Sequence, residues 1–147
     1  MLPEEKIPLG VKLLNGLPYT VIIVDDSAMM RKLLNRILLS EKFEVIDEAE
    51  SGEKGIEAYI TADKKPDFMF IDIEMPGLNG VDTVKELKKF NPDIQIVMCT
   101  SVTDQSVVKE LVALGISGYI AKPFDRDAVI QRLAKILKRT DFIDKFI

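Results

Sequence analysis

The central part of the chain alternates between two kinds of segment, and this alternation limits the fold more than any other feature. Short β-branched and aromatic runs predict five strands, at residues 19–24, 43–46, 67–71, 94–99 and 118–121. Between the strands, apolar residues recur at helical spacing, first at Met30, Leu33, Leu34, Ile37 and Leu38. Further helices are predicted at residues 52–62, 81–90, 104–114 and 126–138. The chain therefore consists of five predicted β–α units.

Nearly continuous apolar strands are typical of a parallel sheet that is covered on both faces. Right-handed crossovers leave few topologies for such a sheet. The predicted fold class is α/β, a flavodoxin-like doubly wound five-stranded parallel sheet in the order 2-1-3-4-5 with helices on both faces. In such sheets a site forms beyond the carboxyl ends of the strands, near the switch between strands 1 and 3.

Residues 19–139 form one predicted domain, and a segment flanks it on each side. Residues 1–18 contain a hairpin signal, LLNGL, but strand 1 already has strands 2 and 3 as neighbours, so an irregular N-terminal extension is predicted. Whether this extension covers the domain or meets a partner is left open. The C-terminal tail, residues 140–147, is expected to extend the last helix, and packing on its own domain and docking to a partner are alternatives.

Composition excludes several functional classes. The 147 residues include no histidine, which excludes a Ser-His-Asp triad and any zinc site that needs imidazole. The net charge is −4 and the lysines and arginines are scattered, which argues against nucleic-acid binding. The single cysteine, Cys99, fits a reducing compartment. With no apolar run of membrane-spanning length and no signal-peptide pattern, a cytoplasmic protein without membrane contact is predicted.

Polar residues follow four of the predicted strands at their carboxyl ends. Asp25 and Asp26 follow strand 1, Asp72 follows strand 3, Thr100 ends strand 4 and Lys122 follows strand 5. Each alone could be a helix cap or a solvated residue, but the strand order brings all five together. Three adjacent carboxylates repel one another unless a cation lies between them, and Mg²⁺ prefers such oxygen ligands. With a hydroxyl and an ammonium group opposite, this set is typical of a phosphoryl-transfer site.

Four motifs at these positions are similar to those of a known family. They are VIIVDDSAMMR, FMFIDIEMPGLNG, IVMCTS and SGYIAKPF, which occur in this order along the predicted domain. The chain resembles the receiver domain of two-component response regulators, and among these the stand-alone chemotaxis response regulators. The resemblance implies that Asp72 is the phosphoacceptor. It also implies that Asp26, Asp72 and the Glu74 backbone carbonyl ligate Mg²⁺, with Asp25 acting through a bound water.

The resemblance further implies a switch. Thr100 would hydrogen-bond a phosphoryl oxygen, Lys122 would pair with the phosphate, and Tyr119 would turn inward when Thr100 moves. The Lys122–Pro123 peptide bond is expected to be cis. Glu74 departs from many relatives, which carry a neutral residue there, and the hypothesis is that it tunes the lifetime of the phosphoryl group.

The expected function is a phosphorylation-activated signalling switch, which catalyses only its own phosphorylation and dephosphorylation. A CheA-type histidine kinase is the expected phosphoryl donor. A flagellar motor switch protein or another output protein is the expected target, and a phosphatase is a further candidate partner. One alternative is a phosphorelay carrier. A more distant one is a haloacid-dehalogenase-like phosphatase, whose nucleophile normally follows the first strand.

Overall fold

The computed structural model describes residues 6–143, and they contain the expected sheet. Its strands are β1 (Thr20–Val24), β2 (Glu44–Ala49), β3 (Phe68–Ile71), β4 (Gln95–Thr100) and β5 (Gly118–Ala121). All neighbouring strands are parallel, and their order is β2-β1-β3-β4-β5. The predicted fold class and strand order are therefore confirmed.

Five α-helices connect and cover the strands. They are α1 (Ala28–Ser40), α2 (Gly52–Thr61), α3 (Gly80–Phe90), α4 (Gln105–Ala113) and α5 (Arg126–Ile136). Each helix begins after a polar residue whose side chain accepts a backbone N–H of the first turn, namely Ser27, Ser51, Asn79, Asp104 and Asp125. Such caps satisfy donors that the helix cannot pair internally, so these residues determine where each helix begins. None of the described helices is both long and apolar enough to cross a membrane.

The sheet divides the apolar core into two layers. Because successive side chains of a strand point to opposite faces, Val21 and Ile23 pack with α1 and α5, whereas Ile22 and Val24 pack with α2, α3 and α4. All four residues of β3 are buried. This double burial explains why the central strands are nearly continuous apolar runs.

Strand β2 is longer than the sequence predicted. It runs from Glu44 to Ala49 and includes Asp47 and Glu48, which are exposed. The strand lies at the edge of the sheet, so its side chains can face water while its backbone pairs with β1. The apolar run alone therefore underestimated the length of β2.

The described part of the N-terminal extension packs against the domain. Residues 6–18 contain no helix or strand, only an isolated antiparallel bridge between Val11 and Pro18. Leu9 is fully buried in the layer beneath α1 and α5. Its backbone N–H donates to the Glu41 carboxylate (3.0 Å), and the N–H of Tyr19 donates to the Gly10 carbonyl (2.8 Å). This segment covers the amino end of the sheet.

The C-terminal tail does not extend the last helix within the described residues, contrary to expectation. Helix α5 ends at Ile136, and Lys138 adopts a left-handed conformation with φ of 57°. A left-handed residue ends the helical path, and a separate 3-10 turn follows at Thr140–Phe142. Phe142 and Ile143 pack against the core layer of α1 and α5. Phe146 and Ile147, the other apolar residues of the predicted stripe, lie outside the described residues.

Candidate functional site

The carboxyl end of the sheet brings the predicted polar residues together. Val24 pairs with Ile71 in the register of β1 and β3, so the residues that follow them, Asp25 and Asp72, lie at the same level. The N–H of Asp72 donates to the Val24 carbonyl (3.0 Å) and that of Lys122 donates to the Thr100 carbonyl (2.9 Å). These bonds continue the pairing of the strands by one residue, and so they position the residues of the site.

Lys122 lies between two of the acidic residues. Its Nζ is 2.7 Å from Asp25 Oδ2 and 3.1 Å from Asp72 Oδ2. The Asp25 and Asp72 side chains are 7% and 8% exposed, and such buried charges are tolerated only when they are paired. Burial opposes the charge on Lys122, but the hydrogen bond with Asp25 and the charges of both carboxylates outweigh it and raise the pKa of Lys122. The peptide bond between Lys122 and Pro123 is cis, as predicted.

The three acidic residues form a cluster with the donor chemistry of a magnesium site. Asp25, Asp26 and Asp72 each offer a carboxylate oxygen, and these oxygens lie within 4.8 Å of one another. Asp25 and Asp72 are buried and Asp26 is exposed. One ammonium group cannot neutralise three carboxylates, so the cluster retains the negative charge and the oxygen ligands that suit Mg²⁺. The residues present therefore fit this ion. Glu74 lies in the β3–α3 loop and its side chain is exposed. That its backbone carbonyl ligates Mg²⁺ stays a prediction.

The loop after Asp72 is hydrogen-bonded to α2 and leads into α3, which begins close to the site. The Glu53 carboxylate, on α2, accepts the N–H of Leu78 at 2.9 Å, and hydrogen bonds from the backbone N–H of Glu53 itself and from that of Leu78 lower the pKa of Glu53. At Gly80, the first residue of α3, an added Cβ would lie 2.2 Å from the Asp72 carbonyl oxygen. Only glycine allows α3 to begin this close to the site. The sequence carried no signal for the role of Glu53, because it is 25 residues away from Leu78.

Thr100 and Tyr119 both contact the backbone of one residue in the β4–α4 loop. Thr100 is fully buried, and its Oγ1 accepts the N–H of Val102 at 3.3 Å. The Tyr119 hydroxyl donates to the carbonyl oxygen of the same Val102. Burial, followed by the negative charge of Asp72, raises the pKa of Tyr119. The hydroxyl near the acidic cluster and the aromatic residue beyond it are thus linked through Val102.

Cys99 marks the boundary between the site and the apolar core. It precedes Thr100 on β4, yet its side chain belongs to the core layer of α1 and α5. Burial raises the pKa of its thiol to about 12, although the charge of Lys122 acts in the opposite direction. The thiol therefore stays protonated near neutral pH and behaves as a small apolar group.

Comparison with known proteins agrees with this arrangement. Residues 21–134 match the profile of the response regulator receiver domain. The chain is 36% identical to chemotaxis protein CheY of Treponema pallidum over 135 residues, which are 92% of this chain and 93% of that protein. It is 41% identical to chemotaxis protein CheY of Halobacterium salinarum over 117 residues, 80% of this chain and 95% of that protein.

A solved structure also shares the fold. The chain superposes on one from the CheX–CheY–BeF₃–Mg²⁺ complex of Borrelia burgdorferi with a TM-score of 0.86 and 31% identity, covering 90% of this chain and 98% of that chain. Asp72 follows β3 rather than the first strand, so the haloacid-dehalogenase-like alternative has no support in the fold. Motifs, strand order, site geometry and sequence relatives agree, and the chain belongs to the family of response regulator receiver domains.

Proposed function

We propose that this protein is a phosphorylation-activated signalling switch that accepts a phosphoryl group on Asp72 from a histidine kinase. The observation that carries the proposal is the placement of the Asp72 carboxylate, which lies beside those of Asp25 and Asp26 and 3.1 Å from the ammonium group of Lys122. A carboxylate in such a setting can act as a nucleophile whose product, an acyl phosphate, carries charge that the neighbouring cation stabilises.

The transfer step follows from the groups present. A carboxylate oxygen of Asp72 attacks the phosphorus of a phosphohistidine, the phosphorus–nitrogen bond breaks, and the imidazole leaves with the electron pair. The chain has no histidine, so the partner supplies the phosphohistidine. Dephosphorylation is a separate step: water attacks the phosphorus, the bond between the phosphorus and the Asp72 oxygen breaks, inorganic phosphate leaves, and the Asp72 carboxylate is regenerated. No turnover of an external substrate is part of this proposal.

The other residues of the site bind the phosphoryl group. Lys122 pairs with its oxygens, and Thr100 donates its hydroxyl proton, which remains available because Oγ1 accepts the Val102 N–H. The residues that would hold Mg²⁺ are Asp25, Asp26, Asp72 and the Glu74 carbonyl. When it is bound, Mg²⁺ supplies positive charge that offsets the charge of the phosphoryl oxygens.

The contacts of Val102 provide a route from the site to the surface. When Thr100 moves toward the phosphoryl group, the Val102 N–H moves with it, and the carbonyl of Val102 changes position beneath the Tyr119 hydroxyl. Tyr119 lies on β5, between α4 and α5, so its rearrangement changes the face formed by these three elements. Phosphorylation then shifts a pre-existing equilibrium between two arrangements of this face.

The proposed partners are those of chemotaxis in the cytoplasm. The relatives in Treponema pallidum and Halobacterium salinarum are named chemotaxis protein CheY, which supports a CheA-type kinase as donor and a flagellar motor switch protein as target. The Borrelia burgdorferi relative was solved with CheX, so a CheX-like protein is a further candidate partner. Phosphotransfer to a second histidine-containing domain, without an effect on the motor, would instead indicate a phosphorelay carrier.

Intact mass spectrometry tests the chemistry. The wild type is incubated with acetyl phosphate, with and without Mg²⁺, beside Asp72→Asn and the control Asp47→Asn, which removes an exposed carboxylate of β2. We expect a Mg²⁺-dependent gain of one phosphoryl group in the wild type and the control, and no gain in Asp72→Asn. Uptake by Asp72→Asn, or none by the wild type, would contradict the proposal.

A further inference from the structure

Arg31 connects the loop that carries two of the acidic residues to the edge of the sheet. It lies in the first turns of α1, and its Nη1 donates to the backbone carbonyl of Asp25 at 2.6 Å. Its Nε donates to the Glu48 carboxylate, on β2, at 3.2 Å. The Arg31 side chain is 17% exposed; its bond to the Asp25 carbonyl is partly buried, whereas its bond to Glu48 lies at the surface. Arg31 is thus held in one direction by Glu48 while it holds the Asp25 carbonyl in another.

The carbonyl that Arg31 binds belongs to the peptide group that joins Asp25 to Asp26. This group is planar, so fixing its carbonyl also limits the directions in which the side chains of both residues leave the backbone. The remaining contacts of Asp25 hold other atoms. Its N–H donates to the Ala49 carbonyl (3.0 Å), and its carboxylate accepts the N–H of Ser27 (2.9 Å) and the ammonium group of Lys122. Arg31 is the side chain that orients the peptide link between the two acidic residues.

We propose that Arg31 is a positioning residue for the divalent cation site: it holds the Asp25–Asp26 peptide group so that both carboxylates face one ion. The inference rests on the proposed function, because it assumes that this cluster binds Mg²⁺. The planar guanidinium group can donate along two fixed directions at once, whereas the ammonium group of a lysine reaches from a single point. Residues that orient metal ligands in this way typically contribute about 10–100-fold to metal affinity.

An effect of the Arg31 charge alone would change Mg²⁺ affinity in the opposite direction, so the charge and the positioning role can be distinguished by experiment. A cation beside an acidic cluster repels a second cation, so if Arg31 acted only through its charge, its neutralisation would strengthen Mg²⁺ binding. If Arg31 acts by positioning, Arg31→Gln weakens Mg²⁺ binding despite the lost repulsion. Arg31→Lys retains the charge and also weakens binding, because it loses the second direction of donation.

Calorimetric titration with MgCl₂ measures the effect on the folded protein without any phosphoryl donor. We expect the dissociation constant for Mg²⁺ to rise about tenfold in both Arg31→Lys and Arg31→Gln. Glu48→Gln, which leaves the Asp25 carbonyl bond in place but weakens the support of Arg31, should raise it by about twofold. Arg36→Gln, which removes an exposed cation of the same helix, serves as the control for charge and should leave the constant unchanged or slightly lower.

Thermal unfolding without Mg²⁺ accompanies each titration, because a purely structural role of Arg31 would lower stability without changing the affinity of the folded protein. Wild-type affinity in folded Arg31→Lys, or tighter binding by Arg31→Gln, would overturn the positioning role while leaving the proposed function intact. If the Arg31 variants do not fold, wild-type affinity in Glu48→Gln counts against the role. A wild type that binds no Mg²⁺ would overturn both the site and the inference.

Discussion

The two ends of the sheet are built on opposite principles. At the carboxyl end, Asp25, Asp72 and Lys122 are charged and largely buried, and the ammonium group of Lys122 is within hydrogen-bond distance of both carboxylates. At the amino end, Leu9 is fully buried, and the Tyr19 ring packs against neighbouring aromatic rings. The first arrangement places like charges close together, which costs stability, whereas the second removes apolar surface from water, which provides it. The comparison indicates that the amino end offsets the cost of the site.

Charged residues also occur at the amino end, but they have a different role. Asp67 accepts the N–H of Thr20 (2.8 Å) and pairs with Lys12 (3.2 Å), and Arg139 donates to the carbonyl of Ile7 at 2.7 Å. Each of these charges has an opposite charge or a backbone group as its partner. At the amino end, polar groups therefore bind residues 6–18 to the domain. At the carboxyl end, they form the candidate functional site.

The largest loss of stability is expected when a buried side chain at the amino end of the sheet is shortened. Leu9→Ala should lower the free energy of unfolding by about 3 kcal/mol, because it leaves a cavity in the layer beneath α1 and α5. Urea denaturation measures the loss, and Leu14→Ala, at a side chain that is 95% exposed, is the matched control with an expected change below about 0.5 kcal/mol. Phosphoryl uptake by the folded fraction should be unchanged. Loss of uptake in folded Leu9→Ala would show that the two ends are not independent.

An intermediate loss of stability is expected when the ammonium group of Lys122 is removed from the carboxyl end of the sheet. Lys122→Gln leaves Asp25 and Asp72 without their ammonium partner. Breaking a fully buried ion pair costs about 3–5 kcal/mol, and we expect about 2 kcal/mol here because Lys122 retains 16% exposure. Mg²⁺ should restore part of this stability, since it replaces the missing positive charge.

Thermal unfolding of Lys122→Gln with and without MgCl₂ checks this expectation. The same MgCl₂ concentrations applied to Leu9→Ala serve as the control, because that variant keeps the whole acidic cluster and should gain as much stability as the wild type. Equal stabilisation of Lys122→Gln and wild type by Mg²⁺ would show that the ammonium group and the ion do not act on the same charges.

The smallest expected effect is a gain in the free energy of unfolding rather than a loss. Asp26 is exposed, so Asp26→Asn removes like-charge repulsion at little cost in contacts. We expect the free energy of unfolding to rise by about 0.5 kcal/mol in the absence of Mg²⁺, while Mg²⁺-dependent phosphoryl uptake falls. Denaturation at low ionic strength is the measurement, since salt screens exposed charges. A lower stability of Asp26→Asn would mean that its carboxylate stabilises the fold through contacts.

Much of the fold could be predicted because its signals are local. The apolar runs of β1, β3, β4 and β5, and the residues that cap the helices, are adjacent in sequence to the elements that they define. Strand β2 was predicted too short because Asp47 and Glu48 interrupt its apolar run, although an edge strand tolerates them. The burial of Leu9 carried no periodic signal, because residues 6–18 form neither a helix nor a strand.

The sequence by itself determined the residue types at the ends of the strands and the alternation that makes those ends meet. Only the tertiary structure decided the contacts of the site, since Lys122 and Asp25 are 97 residues apart and their 2.7 Å separation depends on strand register. The bond from Arg31 to the Asp25 carbonyl likewise depends on how α1 packs and on which rotamer the side chain adopts. Propensity and capping act over a few residues and can be read along the chain, whereas such contacts exist only when distant segments have packed.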